Sequence, residues 1–121
     1  MSKRTCVFVV DDDRILADTI SAVLRSAGFQ VKTFYDALPA INHAIESKPD
    51  VIVTDYRMPT NGLQLASWLR EYCPACKVVL ISGDAPSCNL DQADHGYRFT
   101  LLQKPVEPAT LIEVVAKAAA R

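Results

Sequence analysis

The sequence predicts an α/β fold in which helices cover both faces of one five-stranded parallel sheet. Half of the 121 residues are hydrophobic, and short apolar runs alternate with longer segments whose apolar residues recur at helical spacing. The apolar runs lack the polar alternation of half-exposed strands, so we expect them to be buried on both sides. Right-handed crossovers then give a doubly wound sheet, for which 2-1-3-4-5 is one of the two common strand orders and the one we predict.

Length and charge limit the possible classes of function. Residues 1–121 fit one domain, since domains cluster at roughly 100–150 residues. The net charge of −1 gives no support for nucleic-acid binding through a basic face. No apolar stretch approaches the ~20 residues that span a bilayer, and we expect no signal peptide. We therefore predict a cytoplasmic protein that binds neither nucleic acid nor membranes directly.

The chain opens with a strand and an amphipathic helix. Residues 6–10 are the first predicted strand, and the helix covers about residues 14–27, with Asp13 as its amino-terminal cap and Gly28 as its stop. The inward stripe of this helix is predicted to consist of Ile15, Ile20, Val23, Leu24 and Ala27.

The second strand and helix follow directly. Residues 29–34 form a strand in which Gln30 and Lys32 indicate an edge position. Asp36 is the predicted cap of a helix that runs to Ser47. The residues expected to pack inward from this helix are Leu38, Ile41, Ala44 and Ile45.

Two further strands surround a turn and a third helix. The strands are predicted at 51–54 and 78–81, the turn at 58–62 and the helix over about 63–72. The inward residues of this helix are predicted to be Leu65, Ala66 and Leu69.

The carboxyl-terminal part is predicted to contain a short helix, a fifth strand and a final helix. Residues 84–89 resist helix formation, so we expect only a short helix near 88–95, before a fifth strand at 98–102. Pro108 suits the first turn of a final helix. The residues expected to face the sheet are Leu111, Ile112, Val115 and Ala116.

Carboxylates follow two of the predicted strands. Asp11 and Asp12 come directly after the first strand, and Asp55 closes the third. Because the carboxyl ends of parallel strands meet at one edge of the sheet, we expect these side chains to lie together. Mg²⁺ prefers oxygen ligands, and close carboxylates repel one another in its absence. The cluster therefore predicts a Mg²⁺ site that a backbone carbonyl after Asp55 helps to complete.

Two other strand ends carry groups that suit phosphoryl chemistry. Asp55 can act as a nucleophile toward phosphorus and form an acyl phosphate. The metal and the Lys104 ammonium would offset the charge on the phosphoryl oxygens. Ser82 offers a hydroxyl to one of these oxygens, and Gly83 leaves room beside it.

Four sequence blocks resemble the response-regulator receiver domain of two-component phosphorelay pathways, a CheY-like family with a flavodoxin-like fold. The blocks are VFVVDDD, DVIVTDYRMP, VVLISGDA and LLQKPVEP, and the resemblance runs the full length. It implies that Asp55 becomes a 4-aspartylphosphate by accepting phosphate from a histidine kinase, a histidine phosphotransfer protein or a small donor. It also implies that the chain is no enzyme beyond catalysing its own phosphorylation and dephosphorylation.

The resemblance also assigns roles to the neighbouring residues. It implies that Asp12 binds Mg²⁺ directly, Asp11 mostly through water, and Arg57 through its backbone carbonyl. Ser82 and Lys104 would hold the phosphoryl group and relay its presence. The Lys104–Pro105 bond is expected to be cis, which costs little before proline.

The chain departs from the family at its switch position. The family's aromatic residue three positions before the lysine is replaced by Leu101, and Phe99 lies two residues earlier on the same predicted face. The segment from Pro59 to Gly62 is also one residue shorter than in the family, which bears on where the third helix begins.

Two charged residues are candidate modulators of the site. Arg57 and Asp84 each lie two residues beyond a site residue. We hypothesise that they pair across the mouth of the site and slow attack of water on the acyl phosphate. The alternative is a pair of solvated side chains that contributes little.

Cys73 and Cys76 raise the question of a redox or zinc site. The pair follows a helix end, where the dipole does not lower a thiol pKa. Zinc would need two more suitably spaced ligands. We interpret the pair as incidental loop cysteines.

Parts of the sequence also fit two other functions. An aspartate-based phosphohydrolase of the haloacid dehalogenase type is suggested by Asp11-x-Asp13, but its later acidic pair is absent after Lys104 and Asp55 would have no role. A receiver-like module that binds partners without phosphate is the other alternative. The sequence leaves open the cognate kinase, the output partner, and whether the chain acts alone or within a longer protein.

Overall fold

The computed structural model describes residues 4–55, 68–69, 71–83 and 99–120, with the backbone alone at Phe99. Residues 68–69 and 71–72 are helical. The other elements are β1 (Cys6–Val10), α1 (Arg14–Ser26), β2 (Gln30–Phe34), α2 (Ala37–Ser47), β3 (Val51–Asp55), β4 (Lys77–Ser82), β5 (Phe99–Gln103) and α3 (Pro108–Ala120).

The five strands form one parallel sheet in the order β2-β1-β3-β4-β5, which confirms the predicted topology. The first three strands of the chain end in one row, because Val10 pairs with both Phe34 and Thr54. On the other side of β3, Ser82 at the end of β4 pairs with Gln103 at the end of β5. The residues that follow these strands therefore meet at a single edge of the sheet.

β2 is an edge strand, as its polar residues predicted. Gln30 and Lys32 are exposed, whereas Val31 between them is buried. The Arg25 guanidinium reaches from the last turn of α1 and donates a hydrogen bond to the Val31 carbonyl at 3.1 Å.

α1 begins and ends at the predicted signals. Asp13 caps it by accepting a hydrogen bond from the Leu16 backbone N–H at 3.2 Å, and Gly28 follows with φ of 100°. This positive φ belongs to the left-handed region, which a side chain would strain, so glycine suits the stop.

The predicted inward stripe of α1 is wrong in part. Ile15 is 81% exposed and Ala27 is also exposed, whereas the residues buried along α1 are Ala17, Ile20, Ser21 and Leu24. Five helical positions separate Ile15 from Ile20, which turns them about 140° apart at 3.6 residues per turn. The buried Ser21 fits because its hydroxyl shares a 2.6 Å hydrogen bond with Thr33 of β2.

α2 packs through small residues rather than large ones. Its Asp36 cap is confirmed, with a carboxylate oxygen that accepts from Ala37 N–H at 2.8 Å. The residues it buries are Ala37, Ala40 and Ala44. Leu38 and Ile45, predicted inward, are 63% and 47% exposed. The face of α2 that packs on the sheet therefore consists of alanines, and the longer side chains Leu38 and Ile45 lie outside it.

α3 shows a smaller error of the same kind. Leu111 and Val115 are buried as predicted, but Ala116 is exposed and Ala118 is buried in its place. Ala118 lies seven residues after Leu111, which is two helical turns and therefore the same face. Among the described residues, no helix combines the length and apolar character needed to span a bilayer.

The core is divided between the two faces of the sheet. One cluster lies under α1 and α3 and contains Leu24, Val53 and Leu111. The other lies under α2 and the helical residues 68–69 and 71–72, and it contains Phe8, Leu69, Cys73 and Cys76. The two cysteines lie before β4, where a loop was predicted, and both are buried in the core.

Candidate functional site

Three carboxylates meet at the carboxyl edge of the sheet, as strand order predicts. Asp11 and Asp55 are buried, with 2% and 8% of their surface exposed, while Asp12 is exposed. One ligand oxygen from each lies within 4.8 Å of the others. A set of hard oxygen donors at this spacing, two of them buried, suits Mg²⁺.

Backbone groups fix the position of Asp11. Its N–H donates to the Phe34 carbonyl at 3.1 Å, which continues the pairing of β1 with β2 by one residue. Its carboxylate accepts the Asp13 N–H at 2.9 Å. Asp13 therefore has two roles, since its side chain caps α1 while its backbone holds Asp11. Sequence reasoning missed the second role, because a backbone donor leaves no residue-specific signal.

The electrostatics of Asp11 disfavour its charged form. The pKa of this carboxyl is raised to about 6, mainly by burial and in smaller part by the neighbouring Asp55 and Asp12. The Asp13 N–H and the Lys104 ammonium act in the opposite direction. The protein thus holds like charges together at a cost, which a bound cation would offset.

Lys104 supplies positive charge directly beside Asp55. Its Nζ lies 3.5 Å from Asp55 Oδ2, and its side chain is about a third exposed, at 31%. Its backbone N–H donates to the Ser82 carbonyl at 2.8 Å, which ties the ends of β4 and β5 together. The Lys104–Pro105 bond is cis, as expected. A side chain at Gly83 would lie against the Lys104 stem, 3.8 Å from its Cδ.

Two buried hydroxyls complete the described part of this edge. Ser82, predicted to bind a phosphoryl oxygen, is 3% exposed at the end of β4. Thr54 is 1% exposed, and its Oγ1 donates to the Asp55 carbonyl at 3.2 Å. Sequence reasoning gave Thr54 no role. A polar residue directly after the apolar run Val51–Val53 was nevertheless a signal that its hydroxyl lies at this edge of the sheet.

The predicted modulators are only partly within the described residues. Arg57 and Asp84 lie outside them, as does the Phe99 side chain. Leu101 is half-buried and packs against the cluster under α2. Pairing of β4 with β5 runs without interruption from Phe99 to Gln103. Since side chains alternate along a strand, positions 99 and 101 belong to the same face.

Comparison with known proteins agrees with this geometry. A family model described as the response regulator receiver domain matches residues 7–116. The receiver domain of the putative response regulator NarL from Mycobacterium tuberculosis superimposes with a TM-score of 0.86 at 26% identity, covering 98% of each chain. A receiver domain protein from Clostridium thermocellum gives a TM-score of 0.89 at 24% identity, over 97% of this chain and 95% of the other.

Curated relatives are longer proteins. The transcriptional regulatory protein DctD for C4-dicarboxylate transport, from Pseudomonas aeruginosa, is 32% identical over 116 residues, which are 95% of this chain and 25% of the relative. The transcriptional regulatory protein PrrA from Mycobacterium leprae is 32% identical over 112 residues, 92% and 47% respectively. The chain therefore spans between a quarter and about half the length of these relatives.

Proposed function

The chain belongs to the response regulator receiver domain family of two-component systems, and on that basis we propose that Asp55 is its phosphoacceptor. The donor would be the phosphohistidine of a histidine kinase or of a histidine phosphotransfer protein. The observation that carries the proposal is the contact of Asp55 Oδ2 with Lys104 Nζ at 3.5 Å within a group of three carboxylates. A fixed cation beside a nucleophilic carboxylate is what in-line phosphoryl transfer requires.

In the proposed reaction, an Asp55 carboxylate oxygen attacks phosphorus while the phosphorus–nitrogen bond of the donor imidazole breaks. The imidazole keeps the electron pair and takes up a proton. Lys104 offsets negative charge on the phosphoryl oxygens, and the Ser82 hydroxyl donates a hydrogen bond to one of them. The product is an acyl phosphate on Asp55.

A Mg²⁺ ion would be held by Asp11, Asp12, Asp55 and the Arg57 backbone carbonyl. When bound, it would neutralise the charge that develops on the transferring phosphoryl group. The raised pKa of Asp11, about 6, supports a cation site here, because burial and then the neighbouring carboxylates disfavour its charged form, which a cation would favour.

Phosphorylation would shift a two-state equilibrium in the surface formed by the last two βα units, residues 77–120. Leu101, in place of the family's aromatic residue, would transmit this change without rotation of a ring, or Phe99 would take over that role. The chain would catalyse only its own phosphorylation and dephosphorylation, as one cytoplasmic domain over residues 1–121. Its output would go to a protein partner or a linked domain rather than directly to nucleic acid.

Arg57 and Asp84 would modulate the lifetime of the acyl phosphate. We propose that they pair across the mouth of the site and hinder the approach of water. The Arg57→Ala variant should then lose its phosphoryl group faster than the wild type. An unchanged dephosphorylation rate would end this part of the proposal.

The test is intact-mass measurement after incubation with Mg²⁺ and acetyl phosphate. We expect the wild type to gain one phosphoryl group, and the gain to vanish in Asp55→Asn and on removal of Mg²⁺ by a chelator. Asp50→Asn, at the opposite end of β3, is the matched control and should gain phosphate as the wild type does. No gain from acetyl phosphate or from a panel of phosphorylated histidine phosphotransfer proteins would favour the phosphate-independent binding module.

A further inference from the structure

Cys73 and Cys76 form a close pair of thiols at the end of the sheet opposite the carboxylates. Both are present as thiols, and the Cys76 N–H donates to the Cys73 carbonyl at 3.0 Å, which closes a tight turn. The first and last Cα atoms of such a turn lie within about 7 Å, and a disulfide accepts distances up to about 6.8 Å. Cys73 is among the groups that raise the pKa of the Cys76 thiol, as expected for two side chains that lie close together. A disulfide between them therefore requires little movement of the backbone.

Both cysteines are buried, but Cys73 keeps 5% of its surface exposed and Cys76 keeps none. Cys73 lines a cavity of about 300 Å³ together with Lys48 and Asp50. Cys76 is fully buried, and its thiol donates to the Lys77 carbonyl at 3.7 Å. A water molecule occupies about 30 Å³ in the liquid, so the cavity can admit a small hydroperoxide. Cys73 is thus the thiol that such a reagent meets first.

The surroundings favour a neutral product over a metal thiolate. Burial raises the pKa of the Cys76 thiol well above its usual range, with further contributions from Cys73 and Asp50. A structural zinc site would require four ligands. In the described ranges, the group of three or more potential ligands within reach of one another is the carboxylate cluster, not the cysteines. A disulfide carries no charge and suits an apolar core.

We propose that Cys73 and Cys76 are an oxidation site that reacts with a hydroperoxide to form an intramolecular disulfide. The Cys73 sulfur attacks one peroxide oxygen, the oxygen–oxygen bond breaks, and the departing oxygen leaves with a proton as water or alcohol. The Cys76 sulfur then attacks the resulting sulfenic sulfur, and hydroxide departs with the Cys76 proton as water. The two thiols lose two electrons and two protons in total, and the peroxide is reduced.

This site is separate from the proposed phosphoryl chemistry. β4 runs from Lys77, next to Cys76, to Ser82. Six residues of strand at about 3.3 Å each separate the dithiol from the carboxylate edge by about 20 Å. The oxidation should therefore proceed equally in the Asp55→Asn variant, and its outcome does not depend on whether Asp55 accepts phosphate.

Trypsin provides a direct readout, because cleavage after Arg70 and Lys77 releases both cysteines in the single peptide Glu71–Lys77. The folded protein is treated with hydrogen peroxide, quenched in acid, alkylated in denaturant and digested. We expect this peptide to lose two hydrogens, about 2 Da, and to escape alkylation. Peptides that contain Cys6 and Cys88 should remain alkylated. A thiol reductant added before alkylation should restore two alkyl groups on the Glu71–Lys77 peptide.

Single variants then test the order of attack. Cys76→Ala should accumulate a sulfenic acid at Cys73 that dimedone traps, whereas Cys73→Ala should give no dimedone adduct at Cys76. The wild-type peptide map needs no variant, so the proposal remains testable if either substitution unfolds the protein. Full alkylation of both cysteines after peroxide treatment of the folded chain, with a disulfide formed only in urea, would overturn the proposal. The pair would then be core side chains and nothing more.

Discussion

The two ends of β3 use aspartate in opposite ways. Asp50 precedes the strand and is bound into the backbone network: its carboxylate accepts the Cys6 N–H at 2.8 Å, and its carbonyl accepts the Lys77 N–H at 3.0 Å. Asp55 ends the strand and instead faces Asp11, Asp12 and Lys104. One aspartate aligns three strands, and the other belongs to a cluster of like charges.

This difference separates stabilisation from binding. Backbone donors satisfy Asp50, so its charge supports the fold. At the other end, burial and neighbouring carboxylates raise the pKa of Asp11 to about 6. A shift of this size corresponds to a cost on the order of 2–3 kcal/mol for keeping that carboxyl ionised at neutral pH. The sheet thus keeps a destabilising arrangement at one edge only, where a cation and a phosphoryl group would relieve it.

The largest expected effect concerns the lysine at the carboxylate edge. Lys104→Ala should slow phosphorylation of Asp55 by acetyl phosphate about 100-fold, because one preorganised charge on the transferring group is lost. Lys77→Ala, at the opposite end of β4, is the control and should leave the rate unchanged. The rates are measured by intact mass against time. Equal rates in the two variants would remove Lys104 from the mechanism.

Replacing an aspartate should change the free energy of unfolding in opposite directions at the two ends of the sheet. Asp11→Asn should raise the free energy of unfolding at pH 7 without Mg²⁺ by about 1–3 kcal/mol, because a repelled and buried charge is removed. Asp50→Ala should lower it by about 1–2 kcal/mol, because the Cys6 N–H loses its acceptor. Urea unfolding measures both. A loss of stability in Asp11→Asn would mean that its hydrogen bond outweighs the repulsion.

The pH dependence of the free energy of unfolding should identify the Asp11 carboxyl as the group that destabilises the fold. Its pKa of about 6 in the folded state exceeds the value near 3.9 expected in the unfolded state. Between these values the folded state binds more protons, so the stability contributed by this carboxyl falls as pH rises from about 4 to 6 and is constant outside that window. The difference in unfolding free energy between wild type and Asp11→Asn, measured against pH, isolates the contribution of this carboxyl. Saturating Mg²⁺ should flatten that difference, and a flat profile without Mg²⁺ would contradict the assignment.

The smallest expected effect concerns the residue next to the cluster. Asp13→Ala should cost about 1 kcal/mol of stability, because α1 loses its cap, but phosphate uptake should persist since the Asp13 N–H still holds Asp11. Asp36→Ala on α2 is the matched cap variant. If Asp13→Ala alone abolished uptake, its carboxylate would belong to the metal site.

Local signals in the sequence predicted the strands and the caps at Asp13 and Asp36, whereas the strand order was chosen from two that are common in doubly wound sheets. They also predicted that Asp11, Asp12 and Asp55 would meet, because the ends of parallel strands share an edge. The faces of the helices were harder, as Ile15 and Leu38 show. In α2, Ala40 and Ala44 are buried while Leu38 is 63% exposed, so the size and hydrophobicity of the residues did not identify the inward face.

Other features had no sequence signal at all. The Asp13 N–H that holds Asp11 is a backbone group, and any residue except proline at that position could donate it. Cys73 and Cys76 are buried in one cluster with Leu69 and residues of the sheet, which the spacing of two cysteines does not reveal. The roles of Arg57, Asp84 and Phe99 stay predictions.

The hydrogen bond from Arg25 to the Val31 carbonyl bears on how the protein behaves at high concentration. An exposed edge strand offers its unpaired backbone groups to the edges of other molecules, and such pairing leads to aggregation. On β2 one of the outward acceptors is already taken at 3.1 Å, and the exposed Lys32 lies next to it. An incoming strand would have to displace a guanidinium and bury an ammonium, so this edge resists the addition of a sixth strand from another copy of the chain.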